Sequence, residues 1–341
     1  MRTSDFNYNL PDSLIAQKPL SNRSDSKLLV LNRETGSIEH DRFFNLKNHL
    51  RSGDTLVLND TRVIPARLLG VKLETGANIE MLLLKQLEND TWETLCKPAR
   101  RIEIDTVVAF GNGLLLSRCV RVLDEGLRVM KMIYRGVFFD ILDQLGEMPL
   151  PPYIHEKVTD RDEYQTVYAK NLGSAAAPTA GFHFTPSLLD EIRGQGVIIQ
   201  YLTLHVGLGT FRPVQAEDIS EHTMHSESYL MPEAVARELN EAKSQNRRII
   251  AVGTTSTRVL EANIKKFGCF HQDVGETDIF IYPGYRFKAI DGLITNFHLP
   301  KSTLLMLVSA FATRDIIMET YREAIKQEYR FYSFGDAMFI K

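Results

Sequence analysis

The strongest constraint on the fold is a run of six short strand-like segments in the first half of the chain. They cover 67–72, 78–86, 91–97, 106–110, 114–123 and 127–134. The breaks between them are E-T-G, E-N-D, a loop centred on Pro98, G-N-G and D-E-G. Short strands at this spacing, joined by turn residues, predict a small all-β barrel or sandwich. A helical segment at 138–145 and the semi-rigid run P-L-P-P-Y close the block.

The flanks have a different texture. A hairpin at 27–39 and a buried strand at 55–58 precede the block. After it come helices and strands in alternation: a helix from the Thr185-Pro186 cap to Gly194, a strand at 197–205, a helix at 232–245 and a strand at 249–252. A helix from about Thr257, short strands at 278–281 and 293–295, and two closing helices complete the reading. Neither flank alone has strands enough for a comfortable sheet. The expected fold is therefore α/β: a discontinuous α/β domain (1–64 and 151–341) with an inserted small antiparallel β-barrel domain (65–150).

Composition narrows the class. With 341 residues, 44% apolar and 24% charged, the chain has the profile of a folded globular protein. Its net charge of −3 gives no global pull toward nucleic acid. The segment 97–135 is the exception, with eight cationic side chains against four acidic ones. Arg100, Arg101, Arg118 and Arg121 within it are candidate phosphate contacts. Cys96, Cys119 and Cys269 are isolated, which speaks against a zinc cage or a disulfide framework. The N-terminus has no signal-like apolar core, and the apolar run 304–312 is too short to span a bilayer. A cytoplasmic protein with no membrane contact is expected, working as a monomer.

The polar candidates cluster in small-residue turns. The stretch from Gly173 to Pro213 holds A-A-A-P-T-A-G-F-H-F-T and L-H-V-G-L-G-T-F-R-P, each with one histidine, His183 and His205. Such turns let a backbone approach a ligand closely, and a neighbouring histidine can transfer a proton near neutral pH. G-L-G at 207–209 would need a third glycine where Arg212 stands, so the dinucleotide fingerprint fails. G-T-T-S-T-R at 253–258 follows a strand and offers free N–H groups to an anion, but it lacks the lysine of a P-loop. T-N-F-H-L-P-K-S-T at 295–303 gathers Asn296, His298 and Lys301 on one turn, a general-acid and anion-clamp set. In H-T-M-H-S-E, the spacing of His222, His225 and Glu227 matches no helical metal motif, so proton transfer by His225 or Glu227 is the better reading and no metal is expected. N-D-T-R puts Asp60 and Arg62 at a strand end, where α/β sites are built.

Taken together these blocks, with N-D-T-R-V-I-P-A-R-L-L-G and the closing F-G-D-A-M-F-I, resemble the signature blocks of the S-adenosylmethionine:tRNA ribosyltransferase-isomerase family. The resemblance covers essentially the whole chain. It implies transfer and isomerisation of the ribosyl group of S-adenosylmethionine onto 7-aminomethyl-7-deazaguanine at the wobble position of tRNA. Epoxyqueuosine-tRNA, adenine and methionine are the implied products. S-adenosylmethionine would be consumed as a co-substrate, with no cofactor besides. The chemistry implied needs a base, an acid and a carboxylate clamp. His183 and His205 are the candidate proton-transfer pair, with His225 and His298 as further catalytic candidates. Asp60, Arg62, Thr179, Gly207, Gly209, Thr210, Glu227, Thr254, Thr255, Asn296 and Lys301 are the substrate-binding candidates. A non-catalytic tRNA-binding module and a small-molecule hydrolase are the rival readings. The hydrolase lacks a G-x-S-x-G elbow.

Overall fold

The computed structural model describes residues 1–88, 90–156, 160–207, 214 and 216–341. The chain divides into two compact units. One comprises Met1–Thr61, Pro152–Asn171 and Pro178–Lys341, the other Arg62–Pro151 and Leu172–Ala177. The short segment Leu172–Ala177, which the sequence reading left with the α/β domain, belongs to the barrel unit.

The barrel unit is a closed six-stranded antiparallel barrel, as the sequence spacing led us to expect. Its strands run in the order Leu127–Tyr134, Thr91–Lys97, Asn78–Glu88, Arg67–Lys72, Val107–Phe110, Leu115–Val122, and the last pairs back with the first. Closure removes the edges that a small sheet would otherwise expose. Alternation along the strands sends Met81, Leu83, Trp92, Cys96, Val108, Phe110, Leu115, Cys119 and Met130 into one core. Ile141 and Leu142, from the helix Phe138–Leu145, join that core. The two buried cysteines are thus packing residues, and burial pushes the Cys96 thiol up to about 11.

The α/β unit is built on a nine-stranded mixed sheet. Its centre is four mutually parallel strands in the order Ile198–Leu204, Thr55–Asn59, Ile249–Val252, Gly292–Asn296. The middle two are buried at every residue, as strands covered on both faces must be. Ala337–Ile340 then pairs antiparallel with Gly292–Asn296, Lys27–Leu31 pairs parallel with Ala337–Ile340, and Ile38–Arg42 closes that side. On the other side Glu227–Met231 and Asp273–Thr277 add antiparallel edges.

Local expectations fail in identifiable places. The first residues form two 3₁₀ turns, Thr3–Phe6 and Asp12–Leu14. The last edge strand is Asp273–Thr277, not 278–281, and the strands Glu227–Met231 and Ala337–Ile340 were not anticipated. The helix expected from Thr257 begins at Gly253, so G-T-T-S-T-R is itself the opening turn. Among the described residues no helix is long and apolar enough to cross a membrane.

Candidate functional site

The sheet topology decides where the polar candidates meet. Four parallel strands present their carboxyl ends at one edge, the place where α/β proteins bind ligands. In strand order these ends carry His205, Asp60 with Thr61, Gly253 with Thr254, and Asn296 with His298. Ala337–Ile340 is antiparallel to its neighbour, with Ala337 opposite Asn296, and it runs parallel to Lys27–Leu31. The amino ends of these two strands, with Asp336 and Ser26 just before them, therefore reach the same edge.

His183 arrives there from a separate element, the 3₁₀ turn Thr179–His183. The turn packs closely because Gly181 has no side chain: a Cβ there would stand 2.0 Å from the Tyr168 hydroxyl. His183 is 4% exposed, and its Nδ1 lies 2.8 Å from Ser26 Oγ. The ring packs beside Phe43, with centroids 4.9 Å apart. Its Nε2 is buried and makes no hydrogen bond, and neither does the buried Oδ1 of Asn296. Asn296 is nevertheless near enough to favour the charged ring. Burial outweighs this and, with the fields of Arg330 and Arg23, lowers the His183 pKa to about 3. The imidazole is neutral at pH 7, with one nitrogen unsatisfied.

His205 occupies a second station. Its Nδ1 lies 2.8 Å from Thr61 Oγ1, and its backbone N–H donates to Ser228 O. Desolvation lowers its pKa, against the opposing pull of Asp60. Asp60 is itself held by Thr203 Oγ1 at 2.6 Å and by the Asn171 amide at 3.1 Å to each oxygen. Next to it the Asn59 side chain bridges the splaying strands, accepting from Leu204 N and Thr61 N and donating to Leu204 O. The strand bearing His205 is three strand spacings from the one bearing Asn296, or roughly 14 Å. No hydrogen bond joins His183 to His205. The two rings therefore stand too far apart to pass a proton directly.

Between the two stations lies the amino end of the helix Gly253–Phe267. Gly253 adopts φ +87°, a left-handed turn open to glycine, which swings the chain from strand into helix. No side chain caps this helix, and no acidic residue lies in its first turn. Thr254 is buried, and Thr255 Oγ1 and Ser256 Oγ are buried without hydrogen-bond partners. Thr179 is half-buried at the start of its turn.

Other candidates are differently employed. Glu227 is buried in an ion pair with Arg258 and accepts from Gly207 N at 3.0 Å. Each of its carboxylate oxygens thus has a partner inside the protein. His298 is buried, with Nε2 2.8 Å from Thr295 Oγ1, and burial lowers its pKa to about 3. The Tyr8 hydroxyl donates to its carbonyl, and its N–H meets Tyr321 Oη at 2.9 Å. This histidine rests neutral inside an aromatic cluster and is not a standing general acid. His225 and Lys301 are exposed, Lys301 at φ +58°. Gly209 and Thr210, like Arg212, lie outside the described residues. Arg62 falls in the barrel unit.

In that unit Arg100, Arg101, Arg118 and Arg121 are all exposed, as phosphate contacts must be. Arg128, counted with them in the local charge excess, is not available. It is buried and donates to the carbonyls of Ile102, Leu123, Leu127 and Ala99. Three ligating side chains, Glu39, Asp41 and His49, lie within 4.8 Å of one another in the α/β unit, but two of them already bond each other. The residues that sequence reasoning missed are Ser26, Arg23, Arg258 and Arg330. Only Arg258 stood inside a quoted block, and its partner lies 31 positions away.

The chain is similar to known proteins over essentially its whole length. A family model described as "Queuosine biosynthesis protein" matches residues 3–340. The S-adenosylmethionine:tRNA ribosyltransferase-isomerase of Staphylococcus haemolyticus is 59% identical over 340 residues, covering 100% of both chains. That of Staphylococcus aureus is 57% identical with the same coverage. A crystal structure of S-adenosylmethionine tRNA ribosyltransferase from Thermotoga maritima is 39% identical, covers 99% of this chain and 100% of its own, and superposes with a TM-score of 0.58.

Proposed function

This chain belongs to the queuosine biosynthesis protein family, and from that membership we infer that it acts as an S-adenosylmethionine:tRNA ribosyltransferase-isomerase. The acceptor in this reading is 7-aminomethyl-7-deazaguanine at the wobble position, and epoxyqueuosine-tRNA, adenine and methionine are the products. The chain works in the cytoplasm as a monomer, consuming S-adenosylmethionine as co-substrate without a further cofactor. The single observation in the structure that best supports it is the neutral His183 with an unsatisfied Nε2 at the carboxyl edge of the sheet.

The chemistry begins with proton removal. The positive sulfur acidifies the C5′ hydrogens, so a neutral imidazole can take one while the electron pair stays on carbon beside sulfur. The imidazolium so formed carries a proton that departing adenine can use. This fits a pair of histidines that both rest neutral: the acid is generated during turnover and need not be stored. Asp60 with Thr203 and Asn171 offers ribose hydroxyls a carboxylate already held in place. Thr254 and Thr255 present the open end of a helix to negative charge. Arg100, Arg101, Arg118 and Arg121 supply phosphate contacts for tRNA.

The test is incubation with S-adenosylmethionine and tRNA carrying the aminomethyl-deazaguanine precursor. Release of adenine with formation of epoxyqueuosine in the tRNA is expected. Binding of tRNA without adenine release would overturn the reading in favour of a non-catalytic tRNA-binding protein.

A further inference from the structure

Two arginines outside the assigned residues converge on His183. A small cavity of about 20 Å³ is lined by Pro19, Leu20, Arg23, Ser26, His183 and Arg330, with Phe182 and the 333–335 turn completing the wall. All of these belong to the α/β unit. Such a volume admits one oxygen of a ligand's oxyanion and excludes a nucleoside. Both guanidinium groups lie near enough to His183 to disfavour its protonation.

Among the described residues neither arginine has a carboxylate within ion-pair distance. Arg23 donates to the carbonyls of Gln165 at 2.6 Å, Asp162 at 2.8 Å and Glu163 at 3.2 Å, and its guanidinium lies 5.4 Å from the centre of the Phe182 ring. Arg330 donates from one terminal nitrogen to the carbonyls of Lys18 and Phe334, and its Nε is buried with no partner. Asp336 lies near Arg330, but its oxygens accept from the backbone N–H groups of Lys27 and Arg330. Carboxylates at 160, 162 and 163 act on Arg23 only through their field. Burial lowers the pKa of both arginines, the mark of cations held away from water without full compensation.

Two half-buried arginines on one small cavity, one of them with a buried donor that has no partner, are an oxyanion site in their chemistry. We propose that Arg23 and Arg330 form an oxyanion subsite beside His183, and that the group it takes is the methionyl carboxylate of S-adenosylmethionine. The proposal rests on the ribosyltransferase reading for the identity of that ligand. The ribosyltransferase reading selects the methionyl carboxylate, since a backbone phosphate would offer the same two arginines an oxygen of equal size. It moves the carboxylate clamp away from Lys301, which is exposed on its turn. An anion seated there would also cancel part of the field on His183 and ease its protonation once S-adenosylmethionine is bound.

The experiment compares adenine release from S-adenosylmethionine and from its decarboxylated analogue, in the wild-type protein and in Arg330→Gln, Arg330→Lys and Arg23→Gln. Wild type is expected to prefer the carboxylated substrate by about tenfold to a hundredfold in kcat/KM, the range for hydrogen bonds to a charged group. Arg330→Gln should lose activity on S-adenosylmethionine alone, so that the preference collapses toward one, while Arg330→Lys retains part of it. An undiminished preference in both glutamine variants overturns the subsite. So does a raised KM for tRNA with the preference intact, which would assign the arginines to a phosphate. Should the variants fail to fold, competition binding of methionine against 3-(methylthio)propylamine to wild type decides, and equal affinity overturns the proposal. Absence of any adenine release by wild type counts against the ribosyltransferase reading, and the same competition still tests the subsite.

Discussion

Arg128 in the barrel unit and Arg330 in the α/β unit both turn a guanidinium inward onto backbone carbonyls, yet they end differently. Arg128 reaches four carbonyls and has a partner at each of its three nitrogens. Arg330 leaves Nε buried and unpartnered. The contrast extends to the two units as wholes. Buried side-chain atoms without partners in the α/β unit include His183 Nε2, Thr255 Oγ1, Ser256 Oγ and Asn296 Oδ1, whereas in the barrel only Trp92 Nε1 is such an atom among the described residues. Large apolar side chains left exposed show the opposite bias: Leu69, Val71, Leu73, Ile104, Val120, Val122 and Ile133 all lie in the barrel unit. An unmet buried polar group costs free energy, and the four named atoms lie on the elements that meet the carboxyl edge of the sheet. The barrel has completed its interior and turns its arginines and aliphatic side chains outward.

The largest expected effect lies in the α/β unit. His205→Ala should reduce adenine release by about a hundredfold to ten-thousandfold, the usual worth of a positioned proton-transfer group. Its urea midpoint should barely move, since the ring is only half-buried. A large loss of stability with normal turnover would put His205 among the packing residues.

Arg128→Met should do the reverse. Four carbonyls lose their donors, and a loss of about 3 kcal/mol in barrel stability is expected, read by denaturant unfolding. The affinity for S-adenosylmethionine should remain near wild type. A stable variant that no longer binds S-adenosylmethionine would erase the distinction between the two arginines.

The pH dependence is smaller and carries a definite sign. His298 has its pKa lowered to about 3, against about 6.5 in the unfolded chain. Below pH 6.5 the unfolded state binds a proton that the folded state refuses, so stability is retained above 6.5 and falls as pH drops toward 3. Between pH 7 and pH 5 one such group removes about 2 kcal/mol. His298→Gln should flatten that slope, and an unchanged slope would show that the ring gains a proton in place. For the barrel the expected effect is smallest per residue. Each of Arg100→Gln, Arg101→Gln, Arg118→Gln and Arg121→Gln should make the dependence of tRNA affinity on salt shallower by about 0.7 to 0.9 in the log–log slope. No change in slope would leave the outward arginines without a role in tRNA binding.

The barrel was legible from residues alone because its information is local. Alternation along each strand and a turn signal after it specify a closed antiparallel unit without reference to distant sequence. The edge strands of the α/β sheet were harder. D-V-G-E-T at 273–277 carries glycine and charge in place of an apolar run, and A-M-F-I at 337–340 is only four residues long. Each is a strand because a neighbour pairs with it. The histidines stood out because small residues surround them, and the family resemblance supplied their chemistry. Arg23 and Arg330 gave no signal, since they are 307 positions apart in numbering and meet only when the two amino-end strands align. At Glu227 a carboxylate near histidines suggested proton transfer, while its buried partner Arg258 stood in a block read as an anion-binding turn.

The most direct test of the central claim, that the unmet polar groups of the α/β unit are the catalytic site, is a paired measurement on His183→Ala. Adenine release from S-adenosylmethionine with modified tRNA and the thermal unfolding curve would be recorded on the same preparation. At least a hundredfold loss of release is expected from a protein that still folds cooperatively, with a lowered unfolding transition because the packing on Phe43 and the hydrogen bond to Ser26 are lost. Release near the wild-type rate from a folded protein would contradict it.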